Sequence, residues 1–416
     1  MSGLRFCLPT TFYPPYHFGG DGVGVQRLAR ALVAGGHRVT VIHDVDAYRA
    51  LGSRRARPEP PEPEGLEVVR LRSRLGALAP LLTYLTGRPL VHGATLRGVL
   101  ARGRFDVVHF NNVSLVGGPG LLAYGGSLKL YEAHEHWLVC PTHVLWRHNR
   151  EACTGRQCVR CVLHHGRPPQ PWRYTGLLER RLGDIDAFIA KSEFSRAKHR
   201  EFGFPFDMEV VPYFLPLAEA AAPRSPSPHE RPFFLFVGRL EPIKGLDDVL
   251  PLFRAGGRAD LLVAGSGTHE PALRRAAAGC PRVRFLGRVE LDQLRRYYDH
   301  ALALVVPSVG FETFGIVLIE AMRQATPVVA RRIGPFPEIV ARGGGLLFDD
   351  AAGLAAVIDR LLDEPGLRDE LGRAGERAFR EHWSEPAVVP RYLDLVRRAA
   401  ERKGLTQVAA AAGRAA

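Results

Sequence analysis

Residues 4–42 decide the fold, and they read LRFCLPTTFYPPYHFGGDGVGVQRLARALVAGGHRVTVI. Residues 4–9 form a short apolar run of strand length, and residues 38–42 form a second run after Gly35-Gly36. Between the two runs, apolar side chains recur at helical spacing: Val25, Leu28, Ala29, Leu32 and Val33. Because this spacing places them on one face of a helix, and a glycine pair commonly ends a helix, the stretch predicts a strand–helix–strand unit.

The same alternation continues along the rest of the chain. Further strands are predicted at 67–71, 106–110, 128–132, 187–190, 209–211, 233–237, 260–264, 283–286, 303–306, 327–330 and 345–348. Repeated alternation of strand and helix predicts parallel sheets that are covered by helices on both faces. We therefore expect an α/β protein with two Rossmann-like, doubly wound parallel-sheet domains facing a cleft, with ligands at the carboxyl ends of the strands.

The composition of the chain predicts where its domains begin and end. A Pro-, Ala- and Ser-rich segment at 216–232 predicts a linker between an N-terminal domain, 1–215, and a C-terminal domain, 233–385. A last helix is expected at 386–403, where it could cross back to the first domain. Residues 137–176 interrupt the alternation with four cysteines and many arginines, and we interpret them as a Cys-rich insert in the first domain.

The chain is basic, and the excess charge is uneven. Its 416 residues include 56 Lys and Arg against 43 Asp and Glu, a formal charge of +13. Residues 1–215 carry +10 of this excess, and residues 140–181 carry +6. A basic half indicates that the protein binds nucleic acid, an anionic membrane surface or an anionic ligand. Because no run of 18 apolar residues and no signal-peptide pattern occurs, we expect a cytoplasmic protein, with membrane-peripheral contact as a further option.

Two cations lie five residues apart on the loop predicted after the strand at 233–237. The loop reads GRLEPIKG over residues 238–245, and its cations are Arg239 and Lys244. Arginine offers a planar fork of donors and lysine a compact charge, a combination that can hold a diphosphate. Lys244 is also one of only five lysines in the chain. The alternative is a solvated surface loop, and these residues alone leave both interpretations open.

Two glutamates follow the strand predicted at 303–306, in the sequence PSVGFETFGIVLIEAM of residues 307–322. A helix is predicted from about Gly315, and its N-terminus offers backbone N–H groups and a partial positive charge. Glu320 lies in the apolar part of that helix, where a carboxylate needs hydrogen-bond donors such as a ribose diol. Glu312 precedes the helix and could accept bonds from sugar hydroxyls. The alternatives are a helix-capping carboxylate at Glu312 and a salt-bridged face at Glu320.

Together, the patterns Gly-Arg-x4-Lys-Gly and Glu-x-Phe-Gly-x4-Glu resemble those of the retaining family 4 glycosyltransferases of GT-B fold, also called glycosyl transferases group 1. The resemblance covers most of residues 1–400, and its donor half is the more specific. It implies transfer of a sugar from a nucleotide-sugar donor, UDP- or GDP-linked, to a hydroxyl of a glycan, lipid-linked intermediate or natural product. It also implies retention by same-face attack, in which the leaving phosphate accepts the acceptor's proton, and no catalytic metal or other cofactor.

The resemblance also implies roles for individual residues. Arg239 and Lys244 would hold the donor diphosphate, Glu320 the ribose, and Glu312 the transferred sugar. Further contacts to the donor are implied at Gly19 and Gly20 and in the backbone of Phe314, Gly315 and Ile316. His134 matches the family's histidine near the sugar, although His109 and His136 compete for this role. The implied catalytic set is Glu312, His134, Arg239 and Lys244.

The cysteines of the insert depart from this family pattern. Cys140, Cys153, Cys158 and Cys161 are spaced C-x12-C-x4-C-x2-C, and the last pair matches one knuckle of a zinc site. We therefore predict structural zinc, with an iron–sulfur cluster, disulfides or unligated thiols as alternatives. Asp44-Val45-Asp46 has the letters of the metal motif of the other large transferase fold. We discount that motif because it follows the second strand of the first domain.

Three other functions compete with a glycosyltransferase. A nucleotide-sugar epimerase of the same architecture would need an acid/base set, and we find no clear arrangement of one in the sequence. A nucleic-acid-binding protein would explain the charge and the cysteines but not the donor motifs, so we expect no nucleic-acid partner. A dinucleotide oxidoreductase is disfavoured because residues 20–24, GDGVG, do not have the spacing of G-x-G-x-x-G.

Overall fold

A computed structural model describes residues 3–52, 61–217, 226–253 and 257–414. The chain divides into two compact units. The first comprises Met1–His143, Gln157–Phe214 and Glu385–Ala416, and the second comprises Val144–Arg156 and Leu215–Ser384. Of the linker predicted at 216–232, residues 218–225 lie outside the described residues.

The described residues contain fifteen strands. They are β1 (Arg5–Pro9), β2 (Arg38–Asp44), β3 (Leu66–Leu71), β4 (Val107–Phe110), β5 (Leu128–Ala133), β6 (Trp146–Arg147), β7 (Glu151–Ala152), β8 (Ala187–Ala190), β9 (Met208–Val210), β10 (Phe233–Val237), β11 (Asp260–Ala264), β12 (Val283–Gly287), β13 (Leu304–Val306), β14 (Val328–Arg331) and β15 (Gly345–Phe348). Each predicted strand coincides with one of these to within two residues. Only the short strands β6 and β7 were not predicted, because two residues are too few to show an alternating pattern.

Fifteen α-helices occur in the same described ranges. They are α1 (Gly20–Ala34), α2 (Val45–Leu51), α3 (Leu78–Thr86), α4 (Gly93–Arg102), α5 (Cys158–His164), α6 (Leu177–Leu182), α7 (Glu193–Glu201), α8 (Glu270–Ala276), α9 (Leu291–His300), α10 (Ile316–Arg323), α11 (Phe336–Val340), α12 (Ala351–Asp363), α13 (Pro365–His382), α14 (Glu385–Arg402) and α15 (Thr406–Gly413). Helix α14 corresponds to the helix predicted at 386–403, and it belongs to the first unit.

The first unit is built on a seven-stranded parallel sheet in the order β3-β2-β1-β4-β5-β8-β9. Successive side chains of a strand point to opposite faces, so Phe6 of β1 packs in one core and Cys7 in the other. The apolar stripe of α1 and the side chain of Tyr392 from α14 bury against the Phe6 face. Helix α4 covers the opposite face through Leu96. The expected two-faced α/β layering is therefore confirmed.

The second unit is built on a six-stranded parallel sheet in the order β12-β11-β10-β13-β14-β15. Its central strand β10 reads FFLFV, and Phe234 and Phe236 pack with Leu261 and Val263 of β11 in one core. A strand that is apolar at every position is typical of a parallel sheet whose two faces are both covered. The second Rossmann-like unit is thus confirmed.

A two-stranded hairpin belongs to the second unit, although the chain on either side of it belongs to the first. In this hairpin, β6 and β7 pair antiparallel, and the Arg147 guanidinium donates two hydrogen bonds to Glu151 Oε1, at 3.0 and 2.7 Å. The predicted insert, 137–176, is therefore divided, with Val144–Arg156 in the second unit and the remainder in the first. No helix in the described residues is both long enough and apolar enough to cross a membrane.

Candidate active site

The strand order of the second sheet reverses between β10 and β13. Strands β11 and β12 lie on the outer side of β10, and β14 and β15 lie on the outer side of β13. The two loops that leave these neighbouring strands, 238–245 and 307–315, therefore begin side by side at the carboxyl edge of the sheet. Ligands of open parallel sheets bind at such a reversal, because the two connections run to opposite faces and leave a crevice. The first sequence motif lies on the loop 238–245, and the second begins on the loop 307–315 and ends at Glu320 on α10.

Backbone contacts hold the two loops together. The Val309 N–H donates to the carbonyl oxygen of Ile243 at 2.9 Å. Gly245 has a φ of +67°, and a Cβ at this position would overlap the carbonyl oxygen of Pro307. Glycine is required here because it alone tolerates the left-handed conformation and the close approach together. The loop that carries Lys244 is therefore fixed against the loop that carries Glu312.

Lys244 and Glu312 form an ion pair across the two loops. Lys244 Nζ lies 2.7 Å from Glu312 Oε1, and the Ser308 hydroxyl donates to the same oxygen at 2.7 Å. Burial alone would raise the pKa of Glu312, but the Lys244 ammonium and the two hydrogen bonds outweigh it and hold this pKa below its usual value. Glu312 is therefore ionised at neutral pH and acts as a hydrogen-bond acceptor. The sequence analysis did not identify Ser308 as a hydrogen-bond donor to Glu312.

Arg239 lies on the same loop as Lys244 and is exposed to solvent. Its charge also helps to lower the pKa of Glu312. The backbone beside Arg239 is held by the loop that follows β11. The Leu240 N–H donates to the Ser266 carbonyl oxygen at 3.1 Å, and the Thr268 hydroxyl donates to Glu241 at 2.7 Å. The guanidinium thus extends from an anchored backbone and can reach an anion in solution.

Helix α10 begins at Ile316, one residue after the start expected from the sequence. Gly315 is its N-cap, and no side chain caps its first turn. The preceding Phe314 is buried at 2% exposure, which anchors the turn from which the helix starts. Because the first N–H groups of a helix have no intrahelical partner, this terminus can donate to an anion or a sugar.

Glu320 lies half-buried on α10. The Tyr298 hydroxyl donates to Glu320 Oε2 at 3.4 Å, a long hydrogen bond. Burial raises the pKa of Tyr298 well above its ordinary value, and the Glu320 carboxylate raises it further. Tyr298 therefore stays protonated and can donate to this carboxylate. The sequence did not single out Tyr298, because it lies on a different helix, 22 residues earlier.

Trp146 of the hairpin packs against the loops 238–245 and 307–315. It is buried at 7% exposure. A Cβ placed at Gly310 would lie 3.1 Å from the indole ring and would overlap Ile243, so only glycine leaves room for both side chains. The sequence assigned Trp146 to the insert of the first domain. The structure places it in the second unit, beside the loop of Lys244 and the loop of Glu312.

In the first unit, Gly19 and Gly20 form the start of α1. Gly20 is exposed, and Gly19 is the N-cap of the helix, so no side chain caps the first turn. A Cβ placed at Gly19 would meet no heavy atom closer than Asp21 Oδ1 at 4.0 Å. Packing within the protein therefore does not demand a glycine here. A missing side chain beside an open helix N-terminus is what a closely approaching ligand would require.

His134 directly follows β5, and both of its ring nitrogens are hydrogen-bonded. Asn111 Oδ1 lies 2.8 Å from Nε2, and the Tyr213 hydroxyl lies against Nδ1. Burial lowers the pKa of His134 to about 4, so the ring is neutral at pH 7. Because Asn111 Oδ1 can only accept, the single proton belongs on Nε2, and Tyr213 donates to Nδ1. The imidazole thus has one defined tautomer.

The two competing histidines occupy other positions. His109 Nδ1 lies 3.0 Å from the Tyr392 hydroxyl, and the two rings stack. His136 is buried against the ring of His199, with centroids 5.2 Å apart. The Asn111 amide donates to the His109 carbonyl oxygen at 2.9 Å, so His109 helps to hold the Asn111 side chain that orients His134.

Behind His134 lies a buried ion pair that the sequence did not reveal. Lys191, the first residue after β8, contacts Glu132 of β5, and His109 Nε2 lies 3.1 Å from the other carboxylate oxygen. Burial would raise the pKa of Glu132, but Lys191 and the two histidines hold it well below its usual value. The rarity of lysine and an acidic residue within an apolar strand were the sequence signals that could have identified this pair.

The four predicted cysteine ligands are divided between the two units. Cys140, Cys158 and Cys161 belong to the first unit and Cys153 to the second. Cys140 Sγ lies 3.3 Å from the Thr142 hydroxyl, and Cys153 Sγ lies 3.3 Å from the Gly155 carbonyl oxygen. In the described ranges, the one group of at least three candidate ligands within 4.8 Å of one another is Asp44, Asp46 and His92. Zinc binding by the cysteines stays a prediction.

Known proteins resemble this chain over both units. A family model described as Glycosyl transferases group 1 matches residues 218–378. A second, described as Glycosyl transferase 4-like domain, matches residues 19–213. The two matches are separated by residues 214–217. The first match contains Arg239, Lys244, Glu312 and Glu320, and the second contains Gly19, Gly20 and His134.

Individual relatives agree with these matches. D-inositol 3-phosphate glycosyltransferase of Acidothermus cellulolyticus is 40% identical over 169 residues, which are 36% of this chain and only 37% of that enzyme. Phosphatidyl-myo-inositol mannosyltransferase of Mycolicibacterium smegmatis is 28% identical over 390 residues, 89% of each chain. The crystal structure of Anabaena HepE in complex with UDP and glucose has a TM-score of 0.66 at 17% identity, covering 94% of this chain and 99% of that one, which shows a shared GT-B fold.

The two family models together match residues 19–213 and 218–378, which are most of the chain. This chain belongs to the group 1, family 4 glycosyltransferases.

Proposed function

We propose that this chain is a retaining glycosyltransferase that moves a sugar from a nucleoside-diphosphate sugar to a hydroxyl acceptor. The observation that carries the proposal is the convergence of Arg239, Lys244 and Glu312 on two adjoining loops at the carboxyl edge of the second sheet. Two cations and an ionised carboxylate match the two halves of such a donor, an anionic diphosphate and a polyhydroxylated sugar. The uncapped start of α10 adds backbone donors for the phosphate.

The side chains of the second unit take separate parts in donor binding. Arg239 supplies a fork of donors to the diphosphate, and Lys244 supplies a compact positive charge. Glu312 accepts hydrogen bonds from hydroxyls of the transferred sugar, and Glu320 accepts them from the ribose. In the first unit, we propose that Gly19 and Gly20 admit the donor and that neutral His134 contacts the transferred sugar.

Retention follows when the acceptor attacks on the face from which the phosphate departs. The bond between the anomeric carbon and the phosphate oxygen breaks, and the acceptor oxygen forms its bond on the same face. The acceptor's hydroxyl proton passes to the departing phosphate oxygen, so the products are the glycoside and the nucleoside diphosphate. Arg239 and Lys244 stabilise the charge that develops on the leaving group. Glu312 serves as a binding group, because its bonds to Lys244 and Ser308 hold it as an acceptor rather than a nucleophile.

UDP- and GDP-linked sugars are the donors that we propose. HepE, a structural relative, was solved with UDP and glucose, and a mannosyltransferase is among the sequence relatives. In a thermal-shift screen of UDP- and GDP-linked hexoses, the true donor should raise the melting temperature by mass action. Proton NMR of the product then reports the anomeric configuration. A donor sugar that changes configuration without any acceptor would indicate an epimerase, and an inverted glycoside would overturn the retaining mechanism.

We further propose that the first unit contacts an anionic membrane surface through α3. On this helix, Leu78 and Leu81 are 55% and 42% exposed, and the exposed arginines Arg72, Arg74 and Arg88 flank it in sequence. Exposed leucines beside arginines are typical of helices that lie in a lipid interface. Phosphatidylglycerol vesicles should therefore sediment the protein, whereas phosphatidylcholine vesicles should not. Leu78→Glu should abolish this binding, and equal binding by both vesicles would contradict the proposal.

A further inference from the structure

A second cluster of ligand-type side chains lies in the first unit, apart from the residues assigned above. Asp44 is the last residue of β2 and the N-cap of α2, and its side chain accepts the Ala47 N–H at 3.0 Å. Asp46 follows in the first turn of α2. His92 is the N-cap of α4 and lies 46 residues after Asp46 in the chain. Its ring lies beside the Asp46 carboxylate. The fold has thus brought two carboxylates and an imidazole together from two separate helix starts.

All three side chains are buried, and two of them have an unsatisfied polar atom. Asp44, Asp46 and His92 are 0%, 3% and 6% exposed. Asp44 Oδ2 and His92 Nε2 are both buried and make no hydrogen bond. A buried polar atom without a partner is costly, and such atoms are rare in folded proteins. Two of them in one cluster indicate that a positively charged ligand belongs there.

The spacing of the three groups suits an ion. Their ligand atoms all lie within 4.8 Å of one another, and His92 Nε2 is 3.7 Å from Asp46 Oδ2. That separation is too long for a hydrogen bond, but it is close to the spacing of two ligands that each lie about 2.0–2.2 Å from one metal ion. The Ser73 N–H and hydroxyl donate to Asp46 Oδ2 at 2.7 and 2.8 Å, and such outer contacts commonly orient a ligating carboxylate.

We propose that Asp44, Asp46 and His92 bind a divalent transition-metal ion, Zn²⁺ or Mn²⁺. Two carboxylate oxygens and one imidazole nitrogen are a donor set that both ions accept. The ion would link the β2–α2 junction to the start of α4 and satisfy the two orphaned atoms. None of the three residues belongs to the donor-binding set proposed above, so the role that we propose for the ion is structural.

Metal titration of the purified protein tests this site. After treatment with EDTA and removal of the chelator, Zn²⁺ or Mn²⁺ should bind at one ion per chain by calorimetry and raise the melting temperature. Asp46→Asn and His92→Gln, which keep side-chain size, should each lose that binding. Cys158→Ser is the matched control, because it removes a predicted thiolate ligand and should leave this binding intact. Binding lost in Cys158→Ser but kept in the other two variants would overturn the proposal.

The spectrum of Co²⁺ added to the wild-type protein decides the question without any variant. An oxygen and nitrogen site gives weak visible bands and lacks the intense ultraviolet charge-transfer band of a thiolate ligand. Such a spectrum is the expected result. Absence of the weak visible bands on adding Co²⁺ would overturn the proposal even if Asp46→Asn and His92→Gln failed to fold.

Discussion

Lys244 Nζ and Glu312 Oε1 lie 2.7 Å apart although 68 residues separate them in the chain. Each is held by its own loop, and the two loops leave adjacent strands where the order of the sheet reverses. Without a donor, the ammonium and the carboxylate satisfy one another. A diphosphate that draws on the charge of Lys244 would leave Glu312 available to sugar hydroxyls, and we therefore propose that the pair couples phosphate binding to sugar binding.

Replacing Lys244 should remove most of the activity. Lys244→Ala deletes the cation proposed to stabilise the leaving diphosphate, and we expect kcat/KM to fall by a factor on the order of 10²–10³. Steady-state kinetics with the true donor measure this loss, and circular dichroism checks the fold. Lys198→Ala is the control, because Lys198 lies on α7 outside the proposed site and pairs with the exposed Glu201. Wild-type turnover in Lys244→Ala would refute the role.

Glu320 should determine how strongly the protein prefers a ribose. Charged hydrogen bonds contribute about 1.5–3 kcal/mol, so Glu320→Ala should weaken UDP or GDP binding roughly 10- to 100-fold. Calorimetry with ribose and 2′-deoxyribose nucleotides should show that the variant no longer distinguishes them. Tyr298→Phe removes only the 3.4 Å bond to this carboxylate and should have a small effect. A variant that still prefers the ribose form would contradict the assignment.

Trp146 should affect donor binding from outside the sequence motifs. Its ring packs on Gly310 beside Ile243, so Trp146→Ala should loosen both loops and raise the KM for the donor more than it lowers kcat. Trp146→Phe keeps an aromatic ring in the space and should recover most of the affinity. If Trp146→Ala changed only the KM for the acceptor, positioning of the donor loops would not be its role.

Removing one partner of the buried pair of Glu132 and Lys191 should cost more stability than removing one partner of a surface ion pair. Removing one partner leaves an unpaired charge in the core, which costs about 3–5 kcal/mol. Lys191→Met should therefore lower the free energy of unfolding strongly. The double variant Glu132→Gln with Lys191→Met should recover part of that loss, since neither charge remains. Urea denaturation measures all three proteins, and a double variant that is less stable than Lys191→Met would argue against a charge effect.

Stability should fall in mild acid because two buried histidines resist protonation. Burial lowers the pKa of both His134 and His199 to about 4, against about 6.5 in an unfolded chain. The unfolded state therefore binds protons first as the pH falls, and stability that is complete above about pH 6.5 is lost progressively towards pH 4. His199→Gln should reduce this slope by about one proton in urea denaturation at several pH values. An unchanged slope would contradict the contribution of His199.

The sequence by itself determined the local elements and located the two motifs of the second unit. Apolar runs and helical spacing are short-range patterns, so the thirteen strands of the two parallel sheets could be predicted closely. Because parallel strands place their carboxyl ends at one edge, the sequence also indicated that Arg239, Lys244 and Glu312 lie at a ligand-binding edge. Composition marked the region where the two units separate.

Only the tertiary structure decided which distant residues meet. The reversal between β10 and β13 pairs Lys244 with Glu312, and the fold buries Lys191 against Glu132. The hairpin with Trp146 joins the second unit although its neighbours in sequence belong to the first. The physical reason is that such contacts depend on strand order and chain crossing, which periodicity does not encode. For the same reason, spacing pointed to the cysteines as metal ligands, whereas folding brought Asp44, Asp46 and His92 together.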